Sequence, residues 1–73
     1  MTWNYRIIYH DDDKYPYYGL HEVFYTKKGK IKFFTEEPDI VGESEEDIRD
    51  QLKMMLHDTR HRKTLIHSKI DVK

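Results

Sequence analysis

The 73-residue chain is long enough for one domain and too short for a second. It has no cysteine, which excludes disulfides and thiolate metal sites, and its formal net charge of −1 points to no strongly charged partner. No apolar run approaches the ~18 residues of a membrane span, and residues 1–10 do not read as a signal peptide. The expectation is a cytoplasmic protein with no membrane partner.

All ten aromatic residues lie between Trp3 and Phe34. Such residues suit a pleated, half-buried surface, so the first half of the chain should be sheet. Residues 2–10 alternate, with Trp3, Tyr5, Ile7 and Tyr9 on one face and Asn4, Arg6, Ile8 and His10 on the other. Asp11, Asp12, Asp13 and Lys14 break the strand, and Pro16 closes the loop. A second strand runs from about Tyr17 to Thr26. Lys27–Lys30 form a short hairpin loop in which Gly29 supplies a positive φ. A third strand follows from about Ile31 to Glu36 and ends before Pro38.

Ser44 is placed to cap a helix, with Asp47 three positions on as a short capping-box acid. Glu45, Glu46 and Asp47 suit the positive end of the helix dipole. Ile48, Leu52, Met55 and Leu56 form one apolar stripe expected to face the sheet, and the helix should span about Glu45 to Arg60. The reading is therefore an α+β domain, a three-stranded antiparallel meander followed by one amphipathic helix, over residues 1–60. Residues 61–73 form a basic C-terminal segment. Residues 1–59 hold 8 Lys/Arg against 13 Asp/Glu, and residues 60–73 hold 5 against 1. Ile66, Ile70 and Val72 fall on one side of an extended chain there. A fourth strand, a docked tail and a segment ordered only by a partner all remain open.

The expected sheet has large apolar groups on both faces, and one helix covers one face. Either that face is satisfied within the chain, by a fold-back of the C-terminal segment or by tyrosine hydroxyls that keep it adequately wet, or it meets another chain. On the second reading the contact residues are Tyr9, Tyr18, Val23, Tyr25 and Phe34, with Arg60, Arg62 and Lys63 as a secondary electrostatic site. The partner is then a protein or a second copy.

Catalytic chemistry finds little support. His57 and His61 share a helix face, as metal-binding pairs do, but no glutamate follows His57 and no third ligand is evident. Asp11–Asp13 lack the alternation, glycine and terminal glutamate of a calcium loop, and read as a solvated hairpin tip. Glu22 lies between Leu20 and Phe24. It is either an outward edge residue or a buried acid paired with Arg6 or His21. There is no nucleophile elbow, phosphate loop or spaced acid–base pair. The expectation is a non-enzyme with no cofactor, metal or small-molecule substrate. Aromatics interleaved with Arg6, Lys27, Lys28, Lys30 and Lys32 leave single-stranded nucleic-acid binding as the alternative.

Several stretches carry a resemblance: Trp3-Asn4-Tyr5-Arg6, Tyr18-Gly19-Leu20-His21-Glu22-Val23-Phe24-Tyr25, Thr35-Glu36-Glu37-Pro38 and Gly42-Glu43-Ser44. Over residues 2–57 they resemble a family of short bacterial proteins to which no activity is assigned. The βββα order, with Gly42-Glu43-Ser44-Glu45-Glu46 opening the helix, is also similar to the HicB-type antitoxin core. That similarity implies binding and masking a small protein. The chain departs from the core in lacking a Pro-Gly turn after the second strand and a separate DNA-binding domain.

Overall fold

The computed structural model describes residues 2–71. Strands β1 (Thr2–His10), β2 (Tyr17–Tyr25) and β3 (Ile31–Phe34) form an antiparallel meander, followed by helix α1 (Glu45–His61). Alternating side chains hold β1 and β2 in register along their whole length, from Thr2 opposite Tyr25 to His10 opposite Tyr17. Gly29 turns the second hairpin at φ 82°, the one positive φ among the described residues. Ser44 Oγ accepts from the Asp47 amide at 3.2 Å. Asp47 reaches back one residue further than a standard capping box, accepting from the Glu43 amide at 3.0 Å.

Two expectations need correction. The sheet has four strands, not three. β4 (Leu65–Ile66) lies beside β1 and gives the order β3-β2-β1-β4. It pairs in parallel, Ile8 opposite Leu65 and Tyr9 opposite Ile66, because the chain returns along α1 before reaching the sheet. The second correction concerns the helix stripe. Met55 is buried and Ile48 half-buried, but Leu52 and Leu56 remain 49% and 53% exposed. The helix packs chiefly on β1, at one side of the sheet. A helix is roughly 10 Å across and strands are about 4.8 Å apart, so one helix spans about two strands of four.

The register assigns the faces. Tyr5, Ile7, Tyr9, Leu20, Glu22 and Phe24 share the helix side, while Asn4, Arg6, Ile8, His10, Gly19, His21 and Val23 share the other. An irregularity between Phe24 and Tyr25 places Ile31, rather than Lys32, opposite Tyr25. Tyr5 and Met55 anchor the helix side, and the fully buried Ile8 and Val23 anchor the opposite side. That opposite side is closed by the chain's own C-terminus: β4, then a 3-10 turn at His67–Lys69 that packs on β1. The fold-back anticipated as one of the outcomes is the one observed.

The loop carboxylates hold this segment down. Asp11 accepts from the Ser68 amide at 3.0 Å and from its hydroxyl at 2.5 Å. These two bonds hold the Asp11 carboxyl below its ordinary pKa. Asp12 accepts from His67 Nδ1 at 2.7 Å. Asp11–Asp13, expected to be a solvated tip, are in part a clasp.

Burial predicts a sharp contrast within the apolar residues. Ile8→Ala should cost about 2–5 kcal/mol in urea unfolding. Leu52→Ala, at a half-exposed helix position, should cost less than about 1 kcal/mol.

Candidate functional site

Three features compete for a role, and each is built around β1. The first is an aromatic row on the helix side. Trp3 meets Tyr5 edge-on at 5.1 Å and Phe24 at 6.0 Å, and Phe24 stacks on Phe33 at 4.6 Å. This is cross-strand pairing: Trp3 opposes Phe24, which opposes Phe33. The row is wet at both ends, with Trp3 and Phe33 42% and 43% exposed.

Leu52 and Leu56 are two half-exposed apolar residues of α1. At 100° per residue, Asp58 lies about 60° to one side of Met55, and Leu52 and Leu56 lie about 60° and 100° to the other. Asp58 reaches the outer edge of β1, where its Oδ2 accepts from the Tyr5 amide at 3.0 Å. The leucine flank therefore leans away from that edge and over the sheet. Leu52 and Leu56 on the helix, and Trp3 and Phe33 at the ends of the row, are each partly exposed.

The second feature is the β1 edge itself. Tyr5 and Glu22 form a pair whose amides point outward, since the Glu22 amide donates to Thr35 Oγ1 at 3.1 Å on the β3 side. β4 covers this edge only at Ile8 and Tyr9, and Asp58 supplies the acceptor that the Tyr5 amide otherwise lacks. Burial raises the Tyr5 phenol pKa, and the Glu22 and Asp58 carboxylates add to the effect. Beyond this contact lies an open cleft of about 930 Å³ between the end of α1 and the start of β1. Trp3, Arg6, His57, His61 and Arg62 line it. Arg6 is held in place by donation to Lys63 O at 2.5 Å and to the Tyr25 hydroxyl at 3.4 Å, and the hydroxyl in turn donates to Asn4 at 2.7 Å.

The third feature is a histidine cluster on the opposite face. His10 and His21 are buried, with Nε2 atoms 2.9 Å apart, and His67 of the C-terminal turn lies over His10.

The residues expected to make contacts are divided among these places. Tyr9 and Tyr18 oppose each other with rings 4.6 Å apart on the helix side, Tyr18 largely exposed. Val23 is fully buried on the other face, out of reach of any partner in this arrangement. Phe34 packs against His21 and His67 there, and Tyr25 is tied to Asn4 and Arg6. Arg60, Arg62 and Lys63 are exposed at the helix end, and Arg62 faces the cleft. Glu22 is half-buried on a central strand. Arg6 and His21 lie on the other face, so neither expected base is beside it.

His57 and His61 stack at 4.2 Å, with His61 Nδ1 donating to the His57 carbonyl oxygen at 2.7 Å. Among the described residues no group of three or more His, Cys, Asp or Glu is arranged to hold a metal ion. No described helix is long and apolar enough to cross a membrane.

Sequence reasoning missed Asp58, the loop clasp and the histidine pair. One signal for the pair was present, because a glycine inside a strand marks close approach. A Cβ on Gly19 falls 2.7 Å from His21 Nε2.

The chain matches no protein-family model, and no curated protein or solved structure matches it significantly.

The edge contact is directly testable. Asp58→Ala should destabilise the fold by roughly 1–3 kcal/mol, the cost of an orphaned donor. Asp58→Asn retains an acceptor oxygen and should lose less. Urea denaturation of the two variants checks the order.

Proposed function

We propose that the chain is a non-enzymatic protein-interaction module, binding a protein partner or a second copy of itself through the helix-side strip. The observations that carry this reading are the half-exposed pair Leu52 and Leu56 on the helix and the partly exposed Trp3 and Phe33 at the ends of the aromatic row. Burying a side chain of this size contributes roughly 1.5–3 kcal/mol. An apolar strip left open on so small a domain fits a contact surface better than a solvated one. The similarity of the βββα order to the HicB-type core supports a particular form of the reading, in which the partner is a small protein masked by binding.

The positive rim fits the same role. Lys53 and Arg60 stand on the helix flank above the leucines, where Arg49 is already paired with Glu45 and Glu46, so it is the first two that favour a partner with acidic residues around an apolar centre. A second reading, single-stranded nucleic acid, is supported by the cleft in which Trp3 lies among Arg6, His57, His61 and Arg62.

Affinity capture from lysate, with and without nuclease, separates the two. A defined protein retained after nuclease, and lost with Leu56→Ser or Phe33→Ser, is the result this reading expects. Sedimentation velocity of the pure chain at micromolar concentration then distinguishes self-association from a foreign partner. Partners that vanish with nuclease, and survive both substitutions, contradict the reading. Because both positions are partly exposed, each variant should remain folded, with a circular dichroism spectrum like that of the parent.

A further inference from the structure

The face away from the helix holds a device that the interaction strip does not use. His10 and His21 are 8% and 4% exposed, and their Nε2 atoms are 2.9 Å apart. His21 Nδ1 lies 2.6 Å from the Thr35 carbonyl oxygen. A carbonyl only accepts, so Nδ1 of His21 carries a hydrogen. Nε2 of neutral His21 is then a bare acceptor, and His10 donates to it through its own Nε2 hydrogen. The pair holds one hydrogen between its two facing nitrogens.

Gly19 lies against both rings, and Arg6 stands opposite His21 on the same face. Tyr17 of β2 stacks on His10 at 4.4 Å, and Phe34 of β3 meets His21 edge-on at 5.4 Å. His67 closes the top, 4.8 Å from the His10 ring, while its Nδ1 donates to Asp12. Asp12 and Asp13 in the β1–β2 loop are the carboxylates whose charge reaches His10.

We propose that the His10–His21 pair is a proton-binding site whose occupancy releases residues 63–71 from the sheet. An added proton creates a positive charge at a buried position flanked by one apolar ring, one phenol and another imidazole. On His21 Nε2 it also sets two hydrogens against each other across 2.9 Å. Asp12 and Asp13 act in the opposite sense. Asp12, however, is already engaged by His67, and a charged His67 would hold it more firmly. That partly exposed ion pair is the weaker influence, whereas His10 bears the desolvation.

The least disruptive relief is local. The attachments of the C-terminal segment include two ladder positions, the Asp11 and Asp12 contacts, the His67 ring on His10 and Phe34, and Arg6 on the Lys63 carbonyl. Lifting it hydrates His10 without disturbing the nine-residue pairing of β1 with β2. It also uncovers Ile8, Val23 and the outer edge of β1.

Burial, with His21 and then His67 adding to it, holds the His10 pKa below its ordinary value. A base depressed in the closed form binds more protons in the open one. Closure is therefore fully stable above the ordinary histidine pKa and weakens as pH falls through it.

Hydrogen exchange followed by NMR tests this on the full chain, with rates expressed as protection factors so that intrinsic pH effects cancel. Between about pH 7.5 and about pH 5.5, protection at Leu65, Ile66 and Ile70 should fall by about tenfold, within the limit of tenfold per pH unit for one linked proton. Amides shared by β1 and β2 should keep their protection. His10→Gln retains a donor but does not titrate, and should flatten the profile; His21→Gln should do the same. Asp12→Asn should loosen the segment at every pH while leaving the slope. A parental profile without the fall, an equal fall in both glutamine variants, or loss of β1–β2 protection in parallel would each overturn the proposal.

Discussion

The fold depends on β1 being enclosed from four directions. One edge carries the full-length ladder to β2, and the other is shared by the two residues of β4 and the Asp58 carboxylate. Above lies Met55 of α1, and below lies the C-terminal turn. Enclosure is required because β1 presents apolar side chains on both faces, with Tyr5 and Ile7 on one and Ile8 on the other. A single helix dries only one of them. The chain closes the second face with its own C-terminal residues, β4 and the 3-10 turn.

The two closures differ in strength, and this difference links structure to behaviour. The helix is continuous over 17 residues, capped by Ser44 and pinned through Asp58. The C-terminal closure is a two-residue strand and a single 3-10 turn, held mostly by exposed side-chain bonds. Segments with few buried contacts open at lower free energy than the global fold. Placing a buried imidazole pair beneath the weaker closure couples its opening to protonation. On the helix side the lateral position of α1 leaves Leu52, Leu56, Trp3 and Phe33 partly exposed.

Much of the local structure was legible in the residues. Alternation of aromatic and β-branched side chains marks β1 and β2 to within a residue, Gly29 marks the hairpin, and Ser44 marks the helix start. These signals are local, arising from side-chain period, permitted φ and capping. What was not legible depends on distant partners. Leu65 and Ile66 are too few to show a period, and their pairing with Ile8 and Tyr9 is set by how the chain returns along the helix. The periodic stripe of α1 shows that one side is apolar, but not how far it leans. That is decided by Asp58 finding the Tyr5 amide, 53 residues away in sequence. The contact residues inferred from the sheet were divided for the same reason. Val23 and Phe34 belong to the face that the C-terminus closes, whereas Tyr9 and Tyr18 share the helix side. His10 and His21 read as ordinary alternating positions until the register places them together with Gly19 between strands.

The account rests on the chain supplying its own cover for Ile8 and Val23. Comparing unfolding in urea of the full chain and of a version shortened to residues 1–62 tests that most directly. The shortened chain should lose several kcal/mol of stability, since Ile8 and Val23 each stand to lose roughly 1.5–3 kcal/mol of burial. It should also bind more of a hydrophobic dye than the full chain does. Equal midpoints and equal dye binding would show that the second face needs no cover, and would contradict the account.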